Sequence, residues 1–220
     1  MSNDNCVITG NGSGRWDIVW LLMDPNAVGA FFPLLQRGVN VPAMVPCNLE
    51  NFLHEQLGLS MDYISERITT IFVDGKTTDS LDDTEVRDGS TIALSAAMPG
   101  VVGATLRRGS FYAAMRSGIT SLEVADIATS REGVVCVKLF NLLLTELGPE
   151  FLHRGIDIDA SELTSLFLDM PDSFREGCRE VRINGAIAAK ESLQRMDRFL
   201  SCADVRLTIE FISESNEIPA

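Results

Sequence analysis

The strongest constraint on the fold is a strand followed by a tight turn, which occurs twice at a spacing of about 110 residues. In the first occurrence, the apolar residues 71–73 precede Asp74-Gly75, and in the second, residues 181–183 precede Asn184-Gly185. Asn, Asp and Gly favour such turns because they tolerate a positive φ. The repeated turn predicts that the chain contains two copies of one small unit of strands and a helix.

A helix is predicted near the middle of each copy, because apolar residues recur there at helical spacing. Asn48 is a suitable N-cap for the first helix, and Asp159 with Glu162 has the spacing of a capping box at the second. The apolar stripes are Leu49, Phe52, Leu53 and Leu57 in the first copy, and Leu163, Leu166, Phe167 and Met170 in the second.

Strands are predicted on both sides of each helix, at residues 16–23, 38–45, 70–73 and 91–95, and at 134–140, 156–158, 181–183 and 205–211. Each copy thus reads strand, strand, helix, strand, strand. A compact arrangement has the helix over one face of a sheet and the last strand parallel to the first. Two unrelated α+β halves are the alternative.

The first strand is apolar on both faces, because Trp16, Ile18 and Trp20 alternate with Val19 and Leu21. This pattern predicts an interface on the first strand, with the other half or with a second chain. The alternative is a strand that lies at the centre of a small sheet. The last strand differs, since Arg206, Thr208 and Glu210 are expected to face water.

The two copies resemble the ubiquitin-like sulfur carriers of the β-grasp superfamily, of the molybdopterin synthase small subunit and thiamine sulfur carrier types. Residues 72–76 and 86–90 resemble the late strand and the turn before the last strand, while residues 137–140 and 181–185 resemble the opening strand and the central hairpin. The resemblance implies an α+β fold with two tandem β-grasp domains. These would be residues 1–103 and 133–220, joined by a basic, glycine-containing linker at 104–132.

The chain departs from these carriers at the feature on which their activity depends. The family's chain ends in Gly-Gly, whose carboxylate is adenylated and converted to a thiocarboxylate. Here the chain ends in Pro219-Ala220, and more than 100 residues follow Gly100 and Gly103. A carrier function would therefore require proteolysis to expose a glycine such as Gly100 or Gly103 as a processed tail.

The segment between the copies is basic and contains the candidate binding residues, which could hold an anion or a flat ligand. The alternative is a connector whose arginines dock on acidic surfaces. The candidates are Arg107, Arg108, Phe111, Tyr112 and Arg116.

The net charge of −13 disfavours nucleic acids and anionic membranes and favours a basic protein partner. The alternative is that the charge serves only solubility. The N-terminus has no signal-peptide pattern, and the longest apolar run, 18–23, is too short for a membrane span, so a cytoplasmic protein is expected.

Catalytic and metal-binding patterns are weak in this sequence. The five cysteines are widely spaced without a Cys-x-x-Cys motif, which favours five free thiols, and the two histidines have no clear partners. We therefore expect no metal, no cofactor and no enzymatic activity. The sequence predicts a non-catalytic protein-binding or scaffolding protein.

The alternative function is a processed precursor or accessory protein in sulfur transfer for a molybdopterin or thiamine-type cofactor. Its partner would be an adenylating or sulfur-transfer enzyme. A homo-oligomer is left open by the sequence.

Overall fold

The computed structural model describes residues 16–96, 106–108 and 129–212. These residues form an α+β fold with one ten-stranded mixed sheet and a second sheet of two strands. The prediction of two separate, tandem β-grasp domains is therefore wrong, although the mixture of strands and helices is confirmed. The strands are β1 (Trp16–Met23), β2 (Val39–Val45), β3 (Cys47–Asn48), β4 (Thr70–Val73), β5 (Lys76–Thr77), β6 (Glu85–Val86), β7 (Thr91–Ser95), β8 (Arg131–Phe140), β9 (Ile156–Asp159), β10 (Cys178–Ile183), β11 (Ala186–Ala188) and β12 (Asp204–Phe211).

Both predicted helices are present, and both begin at the predicted caps. The side chain of Asn48 accepts a hydrogen bond from the Asn51 amide at 2.8 Å, and that of Asp159 accepts one from the Ser161 amide at 2.8 Å. The helices are α1 (Phe32–Arg37), α2 (Leu49–Asn51), α3 (Met61–Glu66), α4 (Leu142–Arg154), α5 (Ala160–Asp169) and α6 (Asp172–Gly177), with 3₁₀ helices at Pro25–Phe31 and Lys190–Arg198 and a π-helical segment at Phe52–Gln56.

The chain divides into two compact units, of which the first uses both ends of the sequence. Unit 1 lies within residues 1–32 and 148–220, and unit 2 lies within residues 33–147. In unit 1 the strand order is β11-β10-β1-β12-β9, with β1 parallel to β12 and antiparallel to β10. In unit 2 the order is β2-β8-β7-β4-β5, with β8 parallel to β7 and antiparallel to β2.

The first strand of each predicted copy pairs in parallel with the last strand of the other copy, and not with the last strand of its own copy as predicted. The parallel partner of β1 is β12, from the second copy, and the parallel partner of β8 is β7, from the first. The alternation of apolar residues fixes which face of a strand is buried, but it does not choose the neighbouring strand. For this reason the sequence predicted β1, β7, β8 and β12 as strands but predicted their parallel partners wrongly.

The two predicted turns have matching geometry. Asp74 and Asn184 have φ values of 50° and 51°, and the glycines that follow have φ values of 79° and 81°. The Asp74 carboxylate accepts a hydrogen bond from the Thr91 amide of β7 at 2.7 Å, and the Asn184 side chain accepts one from the Ile18 amide of β1 at 2.8 Å. The local repeat is therefore confirmed, and β1 has in unit 1 the position that β7 has in unit 2.

The core of unit 1 lies on one side of its strands. Val19, Leu21 and Met23 of β1 are completely buried, whereas the alternate residues of β1 are half-buried. Burying each of these large side chains contributes about 1.5–3 kcal/mol of transfer free energy. The helical segments add further buried side chains to unit 1, including Phe31, Phe167, Phe174, Leu193 and Met196.

Candidate functional site

The side of the unit 1 strands that faces away from the core forms an open surface centred on Trp20. Residues directly opposite one another on neighbouring strands share a face of the sheet. Trp20 lies opposite Arg182 on one side and Thr208 on the other, and Arg182 lies opposite Ile187. We call this surface the Trp20 face; its members are Ile18, Trp20, Leu22, Glu180, Arg182, Ile187, Arg206, Thr208 and Glu210.

Two polar neighbours hold the indole of Trp20 in place. The indole Nε1 donates a hydrogen bond to the Glu210 carboxylate at 3.1 Å. The guanidinium carbon of Arg182 lies 5.0 Å from the centroid of the indole ring, within the range of a cation–π contact. Arg182 is itself oriented by a 2.5 Å hydrogen bond from its Nε to Glu180. Trp20 is thus half-buried with its ring orientation fixed before any partner binds.

Each arginine beside the apolar centre is paired with a carboxylate. Arg206 forms a two-point ion pair with Asp157 of β9, in which the Arg206 Nη2 donates to the Asp157 Oδ2 at 3.0 Å. Burial raises the pKa of Asp157, and Arg206 opposes this shift. The confirmed outward position of Arg206, Thr208 and Glu210 leaves a polar rim beside Trp20.

The edge of the Trp20 face exposes a large apolar side chain. Ile187 of β11 is 75% exposed, in line with Arg182 and Trp20 across the strands. An apolar centre with aromatic and arginine side chains and a polar rim is typical of protein–protein interfaces.

The segment that carried the predicted binding residues is described only at residues 106–108. Arg107 is exposed, whereas Arg108 is half-buried and donates through Nη2 to the carbonyl oxygens of Ile64 and Ile68 at 2.6 and 2.8 Å. Burial lowers the pKa of Arg108. Its guanidinium supplies hydrogen-bond donors to backbone carbonyls at and just after the end of α3. The other candidates lie outside the described residues: Phe111, Tyr112, Arg116, Gly100 and Gly103.

The prediction of five free thiols is wrong, because Cys202 is disulfide-bonded. Cys47, Cys136 and Cys178 are free. Burial raises the pKa of all three free thiols, which keeps them protonated at neutral pH. Within residues 16–96, 106–108 and 129–212 there is no group of three His, Cys, Asp or Glu side chains that could hold a metal.

No helix in the described part of the chain has the length and apolar character needed to cross a membrane. Comparison of the chain with protein-family models, with curated proteins and with solved structures finds no match. The resemblance to sulfur carriers therefore stays a prediction.

The Trp20 face was only partly predictable. The sequence singled out the first strand, but not Glu180, Arg182 or Ile187, because the strand at 181–183 was assigned to the other copy and β11 was not predicted. The available signal was the position of Arg182 two residues before the Asn184-Gly185 turn, where it alternates with the apolar Val181 and Ile183.

Proposed function

We propose that this protein is a non-catalytic binding protein that docks a positively charged protein partner on the Trp20 face. The observation that carries the proposal is the row Ile187, Arg182, Trp20 across three neighbouring strands. Tryptophan and arginine contribute binding energy more often than other residues at interfaces. Trp20 is already oriented by Arg182 and Glu210, so little conformational entropy is lost when a partner covers it.

The expected sign of the partner's charge follows from the charge of this chain. The net charge is −13, and the Trp20 face with Asp157 carries three carboxylates against two guanidinium groups. A basic partner would be attracted at long range, and the attraction would weaken as salt is added. We place this binding in the cytoplasm, which fractionation of native cells can check.

The test compares variants that remove single side chains from the Trp20 face. Trp20→Ala and Ile187→Ser, each immobilised as the full chain, are compared with wild type for proteins retained from a native lysate, and binding of a retained protein is then titrated in purified form. We expect a basic protein whose affinity falls at least about tenfold in both variants, since central interface residues often contribute 2 kcal/mol or more.

The matched control is Leu168→Ser, which changes another exposed apolar residue of unit 1, 58% exposed on α5 and outside the Trp20 face. This variant should bind like wild type. Circular dichroism of each variant verifies folding. If every protein retained by wild type is retained equally by Trp20→Ala and Ile187→Ser, the proposed function is wrong.

A further inference from the structure

Strand β11 forms one edge of the sheet in unit 1. Among the strands of the described residues it pairs only with β10, through three consecutive residue pairs centred on Arg182 and Ile187. Ala186 is exposed, and Ile187 is 75% exposed. A sheet edge of this kind presents backbone donors and acceptors to which another strand can bind.

The register of β10 determines which backbone groups of β11 face the open edge. The Asn184 amide donates to the Ile18 carbonyl of β1 at 2.8 Å, so the backbone of residue 184 is directed toward β1. Alternate residues of a strand in an antiparallel ladder bond to opposite neighbours, so Arg182 also bonds toward β1 and Ile183 bonds toward β11. Arg182 and Ile187 are therefore a pair without mutual hydrogen bonds, and the amide and carbonyl of Ile187 point away from β10. Outside the ladder with β10, the Ile187 backbone has no hydrogen-bond partner in the described part of the chain.

The sequence of this edge is symmetric about Ile187. It reads Ala186-Ile187-Ala188, and none of the residues 185–189 carries a charge. If a second copy pairs antiparallel with it, a two-fold axis at Ile187 places this residue opposite itself and each alanine opposite the other alanine. Each Ile187 amide then donates to the Ile187 carbonyl of the other copy, so the outward donor and acceptor of both edges are satisfied.

The side chains of the edge fit the same arrangement. Ile187 belongs to the Trp20 face, so the isoleucines of two copies come together on that face, and β-branched side chains pack well across neighbouring strands. On the other face the alanines place neither bulk nor charge between the copies. Natural edges are often protected by a lysine, a proline or a bulge. Strand β11 has none of these, because its residues are Ala-Ile-Ala in an uninterrupted register with β10.

From this geometry we propose that two copies of the chain associate through their β11 edges, antiparallel about Ile187. A second copy fits the edge better than an unrelated strand, because the symmetric sequence supplies the matching donor, acceptor and side chain and brings no like charges together at short range. Edges of three residues bury less than the roughly 1,200 Å² of a stable interface, so the dimer is reversible, with a dissociation constant on the order of 0.1–1 mM. The inference does not depend on a partner at the Trp20 face.

Salt separates this association from the docking of a basic protein. Each copy has a net charge of −13, so long-range repulsion opposes the dimer and added salt screens that repulsion. Raising the ionic strength from about 0.01 M to about 0.15 M shortens the Debye length from roughly 30 Å to roughly 8 Å, and should tighten the dimer by at least about threefold. The same change should weaken the binding of a basic partner, so a failure of one proposal is distinguishable from a failure of the other.

The test dilutes the ¹⁵N-labelled full chain from about 1 mM to about 0.05 mM, a range that spans the expected dissociation constant. The Ile187 amide resonance should shift with concentration, and sedimentation equilibrium should report monomers and dimers. Ile187→Lys should weaken the association by at least about fivefold, because it removes the apolar contact and places like charges opposite each other. The matched control is Leu168→Lys, the same change at another exposed apolar residue of unit 1, and it should associate like wild type.

A mixture of two variants tests the two-fold register. Ile187→Lys and Ile187→Glu each place like charges opposite each other when alone, whereas an equimolar mixture places opposite charges there and should associate at least about fivefold more tightly than either variant. Circular dichroism of each variant verifies folding. The proposal is overturned if wild type stays monomeric at about 1 mM, if Ile187→Lys associates like wild type, or if the mixture associates no better than its components. An Ile187 amide that shifts only when a basic protein is added would assign the edge to that protein instead.

Discussion

Asp17, at the start of β1, is a carboxylate with no exposed surface. Its oxygens accept hydrogen bonds from the Asn184 side-chain amide at 2.8 Å and from the backbone amides of Ser201 and Cys202 at 2.5 and 2.7 Å. Burying a charge is costly unless donors replace the lost water, and here three donors converge on it. Asp17 therefore joins the turn after β10 and the segment before β12 to the strand that carries Trp20.

We predict that Asp17→Asn lowers the free energy of unfolding by about 2–3 kcal/mol, because an amide group would face backbone N–H donors that need an acceptor. Urea denaturation followed by tryptophan fluorescence measures this loss. Asp197→Asn, an exposed residue of the same unit, is the control and should change the stability by less than about 0.5 kcal/mol. An equal effect of the two variants would show that Asp17 has no special role.

At the scale of single elements, the hairpin turns illustrate how backbone conformation selects a residue. Gly185 and Gly75 have φ values of 81° and 79°, and neither has a heavy atom within 4 Å of the position where a Cβ would lie. Space is therefore available, and the only penalty for a larger residue is the left-handed conformation.

We expect Gly185→Ala to destabilise the protein by about 1 kcal/mol, the usual cost of a non-glycine residue at positive φ. Gly29 in the 3₁₀ helix Pro25–Phe31 is the matched control, because its Cβ position is equally open but its φ is not positive. Gly29→Ala should be neutral or slightly stabilising in the same urea titration. A loss of equal size in both variants would contradict the assignment of the cost to φ.

These elements also show what the sequence could predict and why the rest was not accessible. The turns at Asp74 and Asn184, the caps at Asn48 and Asp159, and the outward position of Arg206 follow from local patterns, and the structure confirms them. The partner of β1 depends on side chains distant in sequence, which a period of two residues does not encode. The backbone contacts of Arg108 could not be predicted either, because its segment has no apolar periodicity that would indicate a buried residue.

At the scale of the whole molecule, the exchange of first strands is the main difference from a simple tandem repeat. Val19 of β1 lies opposite Leu207 of β12, and both side chains are completely buried. Pairing within each sequence copy would instead bring β1 next to β7. If β1 lies beside β12, a substitution in β1 should couple energetically with one in β12. If β1 lay beside β7, it should couple with one in β7.

A double-mutant cycle distinguishes these arrangements. Val19→Ala and Leu207→Ala should show a coupling of about 0.5–2 kcal/mol in their free energies of unfolding, as residues in contact do. The comparison cycle combines Val19→Ala with Leu94→Ala of β7, which is also completely buried, and should be additive within about 0.5 kcal/mol. Coupling in the second cycle and additivity in the first would refute the exchanged pairing.

The pairing of β1 with β12 has a consequence for biosynthesis. The tryptophan-bearing strand ends at residue 23, whereas its parallel neighbour, residues 204–211, is translated only after the intervening residues 24–203. At the usual rate of about 5–20 residues per second, this leaves the nascent strand without that neighbour for roughly 10–40 seconds. During this interval its apolar side chains are accessible to chaperones, while strands β2 to β8 of unit 2 are being translated.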